Sequence, residues 1–90
     1  MDSSWEERLA KYLDSQNIQW TRPAPIHVTM DKVRRYFPDF YLPKYDVYLD
    51  PKNKHAEKVQ KEKLIEVKKI VTLYYGTVEY LIDIVQSLEA

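Results

Sequence analysis

Apolar positions along the chain change spacing several times, and each change predicts a new element. Trp5, Leu9, Tyr12, Leu13 and Gln16 recur on one helix face, predicting an opening helix that Asn17 ends in a left-handed stop. Ser3-Ser4-Trp5-Glu6 has the spacing of a capping box, and Ser4 with Glu7 offers the same pattern one residue later. Ile18-Gln19-Trp20-Thr21 alternates and predicts a short strand, ended by Arg22-Pro23-Ala24-Pro25. Ile26 to Met30 reads as a further short strand or an extended loop. Phe40-Tyr41-Leu42, the turn Pro43-Lys44-Tyr45 and the run Asp46 to Asp50 predict a hairpin. Residues 54 to 69 predict one basic helix with Ala56, Val59, Leu64, Val67 and Ile70 inward. Ile70 to Tyr75 predicts a buried strand closed by Gly76, the only glycine. From Thr77 onward, Val78, Leu81, Ile82, Val85 and Leu88 predict a final amphipathic helix. The order α-β-β-β-α-β-α is that of an α/β fold.

Composition narrows the class. Ninety residues, 44% apolar and 31% charged, fit one small globular domain over residues 1–90. No cysteine is present, which excludes a disulfide framework and thiolate chemistry. Two histidines, His27 and His55, are too few for a histidine-based structural zinc site. No apolar run is long enough to span a membrane and no secretory leader is visible, so the expectation is a soluble, cytoplasmic protein.

Fourteen basic and fourteen acidic residues cancel, which argues against coating nucleic acid by bulk charge. The cancellation is not local. Residues 52 to 69 carry seven lysines against Glu57, Glu62 and Glu66, net +4, between two acidic ends. A polyanion site on one face fits this pattern, and so does an ordinary solvated lysine face.

The richest chemistry lies between Tyr36 and Lys52. Asp39 and Asp50 sit on adjacent arms of the predicted hairpin, and Lys52 follows Asp50 by two residues. Strand side chains alternate with period two, so Asp50 and Lys52 share a face, and a tight hairpin brings Asp39 opposite them. Hard carboxylate oxygens suit Mg2+ or Mn2+, and an adjacent ammonium can orient an attacking water or offset developing charge. Metal-assisted phosphodiester hydrolysis is the reaction such a trio supports.

At these residues the chain resembles the PD-(D/E)XK nuclease superfamily. Pro38-Asp39 matches the first half of the signature and Asp50-Pro51-Lys52 the second. The run Phe37-Pro38-Asp39-Phe40-Tyr41-Leu42-Pro43 is most similar to phage endonuclease I type Holliday-junction resolvases, and small homing-endonuclease-like phage nucleases share similar wording. The resemblance covers roughly residues 3 to 75. It implies a restriction-endonuclease-like domain, a mixed sheet flanked by helices, that cleaves branched DNA with magnesium as a homodimer in a bacterial or phage-infected cell. It also implies that Asp39, Asp50 and a first-helix acid, Glu6, hold the metal while Lys52 assists the attacking water. The chain departs from the pattern by using aspartate rather than glutamate as second acid and by placing Pro51 between acid and lysine. Ile65-Glu66-Val67-Lys68 offers a second acid-x-Lys pair, which completes the motif if that segment is the strand.

Each candidate has a plainer reading beside it. Asp39 and Asp50-Pro51 suit turns, and Glu6 suits a capping box with Glu7 as fallback. Arg34 and Arg35 can clamp a phosphate or simply lie in a loop, and Lys54, Lys58 and Lys61 can track a DNA backbone. His27 reads as a loop residue and His55 as helix surface. The eight tyrosines suit packing as well as base stacking. The competing functions are a nicking homing-type or repair-type nuclease on duplex DNA, an inactive nucleic-acid-binding member, and a protein-interaction module.

Overall fold

A computed structural model describes residues 3–90. The element order is α1 (Ser3–Ser15), β1 (Ile26–Thr29), β2 (Val33–Tyr36), β3 (Phe40–Leu42), β4 (Val47–Pro51), α2 (Lys54–Val59), α3 (Lys61–Lys68), β5 (Leu73–Gly76) and α4 (Val78–Glu89). The α/β class and the mixed sheet expected from the sequence are both present. β4 is the centre of a three-stranded sheet, antiparallel to β3 and parallel to β5. A parallel neighbour requires a crossover, which α2 and α3 supply. β1 and β2 form a separate antiparallel ribbon.

The period-two pattern of β3 and β4 sends Phe40, Leu42, Val47 and Leu49 to one sheet face. There they meet Leu9 and Leu13 of α1 and Val78, Leu81 and Val85 of α4 in a closed apolar cluster. The other face carries Leu73 against Leu64 and Val67 of α3, with Val28 and Tyr36 of the ribbon. Arg8 and Glu79 also bridge α1 and α4 at 3.2 Å, but both are exposed. Such pairs contribute about 0.2–1 kcal/mol, whereas a buried leucine trimmed to alanine costs roughly 2–5 kcal/mol, so apolar packing sets the docking of the two helices.

Local chemistry fixes the element ends. Asn17 adopts φ 57° and Ile18 N–H donates to Leu13 O at 2.9 Å, the left-handed stop expected for α1. α1 already includes Ser3, so the cap position preceding it lies outside the described residues. Asn53 Oδ1 accepts from Ala56 N–H at 2.7 Å and Thr77 Oγ1 from Tyr80 N–H at 3.1 Å, capping α2 and α4.

The structure departs from the sequence reading at four places. Residues 18–21 form no strand; only Thr21 pairs, exchanging two 2.9 Å backbone bonds with Tyr41 in a single bridge, and Pro23 and Pro25 lack the donors to extend it. Val33–Tyr36, unassigned from the sequence, is a strand whose charged Arg34 and Arg35 obscure the apolar alternation. The single helix over 54–69 is two helices parted at Gln60, where φ −101° and ψ 11° leave the helical region. That break turns Val59 outward, 70% exposed, and Ile70 is 58% exposed ahead of a strand that starts at Leu73.

Candidate functional site

The hairpin register builds the site. Phe40 pairs with Leu49, so the next step along the two arms sets Asp39 opposite Asp50. Both acids share a sheet face with the cross-strand pair Tyr41 and Tyr48, whose ring centroids lie 4.8 Å apart. Pro51 is tolerated in this central strand because of its phase. Tyr48 N–H and Lys52 N–H donate toward β5, to Thr72 O and Gly76 O, so Pro51 turns its missing donor toward β3. There β3 has already ended, and no ladder bond is lost.

Asp39 is 6% exposed and Asp50 1%. Tyr36, at the end of β2, donates its hydroxyl to Asp50 Oδ2. Lys52 Nζ lies 3.1 Å from the same oxygen and 5.4 Å from the Tyr36 ring centroid. Asp39 Oδ2, by contrast, is buried with no hydrogen-bond partner among the described residues. Burial is the main cause that pushes the Asp39 carboxyl up to about 8, reinforced by hydrogen bonding to Glu6 and by the charge of Asp50. Burial also raises Asp50, against the opposing pull of the Tyr36 hydroxyl and the Lys52 ammonium. Tyr36 is raised by its own burial and by the Asp50 charge beside it.

Glu6 therefore neighbours Asp39, as its position on α1 allows, while its Oε1 lies 3.4 Å from Arg22 Nη1. Among the described residues, no three His, Cys, Asp or Glu side chains converge as a ready-made metal cage. The fold offers two buried carboxylates with one orphaned oxygen, and that donor set fits magnesium, which commonly takes one or two protein acids and fills its shell with water.

Asp50 and Lys52 open onto a cleft of about 660 Å³, also lined by Trp5, Phe37, His55 and Gln60. Lys54, Lys58 and Lys61 are exposed along α2 and the start of α3. Arg34 is held by Asp31 through two 3.2 Å bonds, and Arg35 covers the Phe37 ring at 5.6 Å. His55 is exposed at the start of α2, and His27 is exposed on β1 opposite Arg35. Glu66 and Lys68, the alternative pair, lie on helix α3, where Glu66 pairs with Lys69 at 2.8 Å and Lys68 covers Tyr75 at 5.0 Å.

Sequence reasoning did not single out Tyr36, Trp5, Phe37 or Gln60 as site residues. For Gln60 a signal exists: it is the one polar residue in the inward stripe Ala56, Gln60, Leu64, Val67. No family model, curated protein or solved structure matches this chain. None of its helices, among the described residues, is long and apolar enough to cross a membrane.

Proposed function

We propose that this chain is a divalent-metal-dependent DNA endonuclease of the PD-(D/E)XK kind, hydrolysing phosphodiester bonds at branched DNA such as four-way junctions. One observation carries the reading: two buried carboxyls face each other across the β3–β4 hairpin, one oxygen lacks a partner among the described residues, and a lysine ammonium stands beside Asp50. A buried acid pair is costly for a fold to keep, and a perturbed acid that opens onto a cleft, as Asp50 does, is a marker of function.

Asp39 and Asp50 would hold the ion, with Glu6 close enough to Asp39 to tune its protonation. When bound, a divalent ion polarises a phosphoryl oxygen and acidifies a water. Lys52, steered into the cleft by Asp50, donates hydrogen bonds to the phosphate and offsets the negative charge that builds in the transition state. Tyr36 fixes the Asp50 rotamer through its hydroxyl. The exposed lysines of α2 and α3 give the backbone of DNA a cationic approach. Paired cuts at a branch need two sites, so the junction reading brings a homodimer with it.

Nicking of supercoiled plasmid with and without magnesium tests the reading, followed by a panel of four-way, three-way and linear DNA. Magnesium-dependent nicking that Asp50→Asn abolishes and Lys52→Ala strongly reduces supports it, and nicking that either variant retains in full overturns it. That no three carboxylates converge as a cage among the described residues favours a second reading, a nucleic-acid-binding domain without cleavage, which gives DNA binding and no nicking.

A further inference from the structure

The cleft beside Lys52 holds a polar atom that phosphate chemistry leaves unused. Gln60 lines the hollow that Asp50 and Lys52 share, and its buried Oε1 meets no donor among the described residues. A buried carbonyl oxygen left unpaired is costly, and a phosphate diester, offering acceptors alone, cannot satisfy it. A ligand that satisfies it brings an N–H or O–H donor.

The opposite requirement comes from the rings. Trp5 is half-buried in the same hollow, and Phe37 is 61% exposed there with the Arg35 guanidinium set over its ring. With the guanidinium over one face, the other face of this exposed ring is open to stacking. A flat ligand with an N–H on its edge satisfies both demands, and the hollow of about 660 Å³ is of the size that takes small planar ligands.

We propose that the cleft takes up one unpaired nucleobase of the DNA strand, stacked on Phe37 and Trp5 and hydrogen-bonded to Gln60 Oε1, with its phosphate next to Lys52; the placement of that phosphate rests on the nuclease reading. Every base carries an N–H on its Watson–Crick edge, and in duplex DNA that donor is already used. The acceptor thus selects against paired bases without reading sequence, and stacking is equally tolerant of base identity. Branch points, bulges and mismatches are where such a base is free.

The test uses the full chain with calcium in place of magnesium and three labelled duplexes: fully paired, with a one-nucleotide bulge, and with the same bulge abasic. The base-bearing bulge is expected to bind roughly tenfold more tightly than the abasic one. Phe37→Ala, a surface change that spares the core, and Gln60→Met, which keeps shape and removes the acceptor, should each erase that preference while leaving the paired duplex unaffected. Equal binding of base-bearing and abasic bulges overturns the base site, whether or not magnesium supports nicking. A base preference in a chain that never nicks retains the base site and removes the nuclease reading. No binding to any of the three duplexes overturns both.

Discussion

Asp39 stands across the β3–β4 ladder from Asp50, one step beyond the Phe40–Leu49 pair, and both side chains are buried. Two acids placed face to face in a low-dielectric setting cannot both stay ionised without a compensating cation. The fold supplies one such charge, the Lys52 ammonium 3.1 Å from Asp50, and leaves Asp39 without a counterpart.

A pH dependence of stability follows. Folded Asp39 keeps its proton up to about 8, whereas the unfolded chain releases it near the usual 3.8. Between those values the native state binds the extra proton, so this group's contribution to metal-free stability is full at low pH and falls as pH rises toward 8. The slope reaches at most about 1.4 kcal/mol per pH unit for one proton. Thermal melts without metal from pH 5 to pH 8 should show a falling midpoint, and Asp39→Asn should flatten that profile.

Lys52→Ala removes the ammonium that the acid pair holds in the cleft. Turnover is expected to fall about 10²–10³-fold, the usual cost of one transition-state donor, with DNA affinity changing little. Equal loss of binding and turnover would make Lys52 a binding residue instead.

Gly76 ends β5 with φ +143°, and a Cβ there would sit 3.1 Å from the Tyr80 ring. Gly76→Ala should destabilise the fold by about 1–3 kcal/mol in urea titrations. Adding Tyr80→Ala removes the crowding ring but not the backbone strain, so only part of that stability should return.

Lys54, Lys58 and Lys61 make no ion pair among the described residues. Glutamine at each should weaken DNA binding and lower the salt slope by about one for every phosphate left without its cation. Unchanged slopes would place that face away from DNA.

The acid pair was legible because it depends on two local rules: alternation along a strand and register across a short hairpin. Asp39, Asp50 and Lys52 follow from them directly. The terminal helices were legible from another local rule, helical spacing, since the stripes of Leu9 and Leu13 and of Leu81 and Val85 are unbroken. β2 was hidden because Arg34 and Arg35 put charge where the period-two signal is read. The helix break was hidden because Gln60 leaves helical geometry with no proline or glycine to announce it. Tyr36 reaches Asp50 only through the ribbon docking on the sheet, a tertiary event that local spacing does not encode.

Manganese titration of the purified chain by calorimetry at pH 7.5, beside Asp39→Asn and Asp50→Asn, tests the acid pair as a cation site without relying on cleavage. The expected result is one saturable site in the wild-type chain, lost in both variants. A wild-type chain that takes up no manganese, or variants that bind it as well as the wild type, would contradict the account.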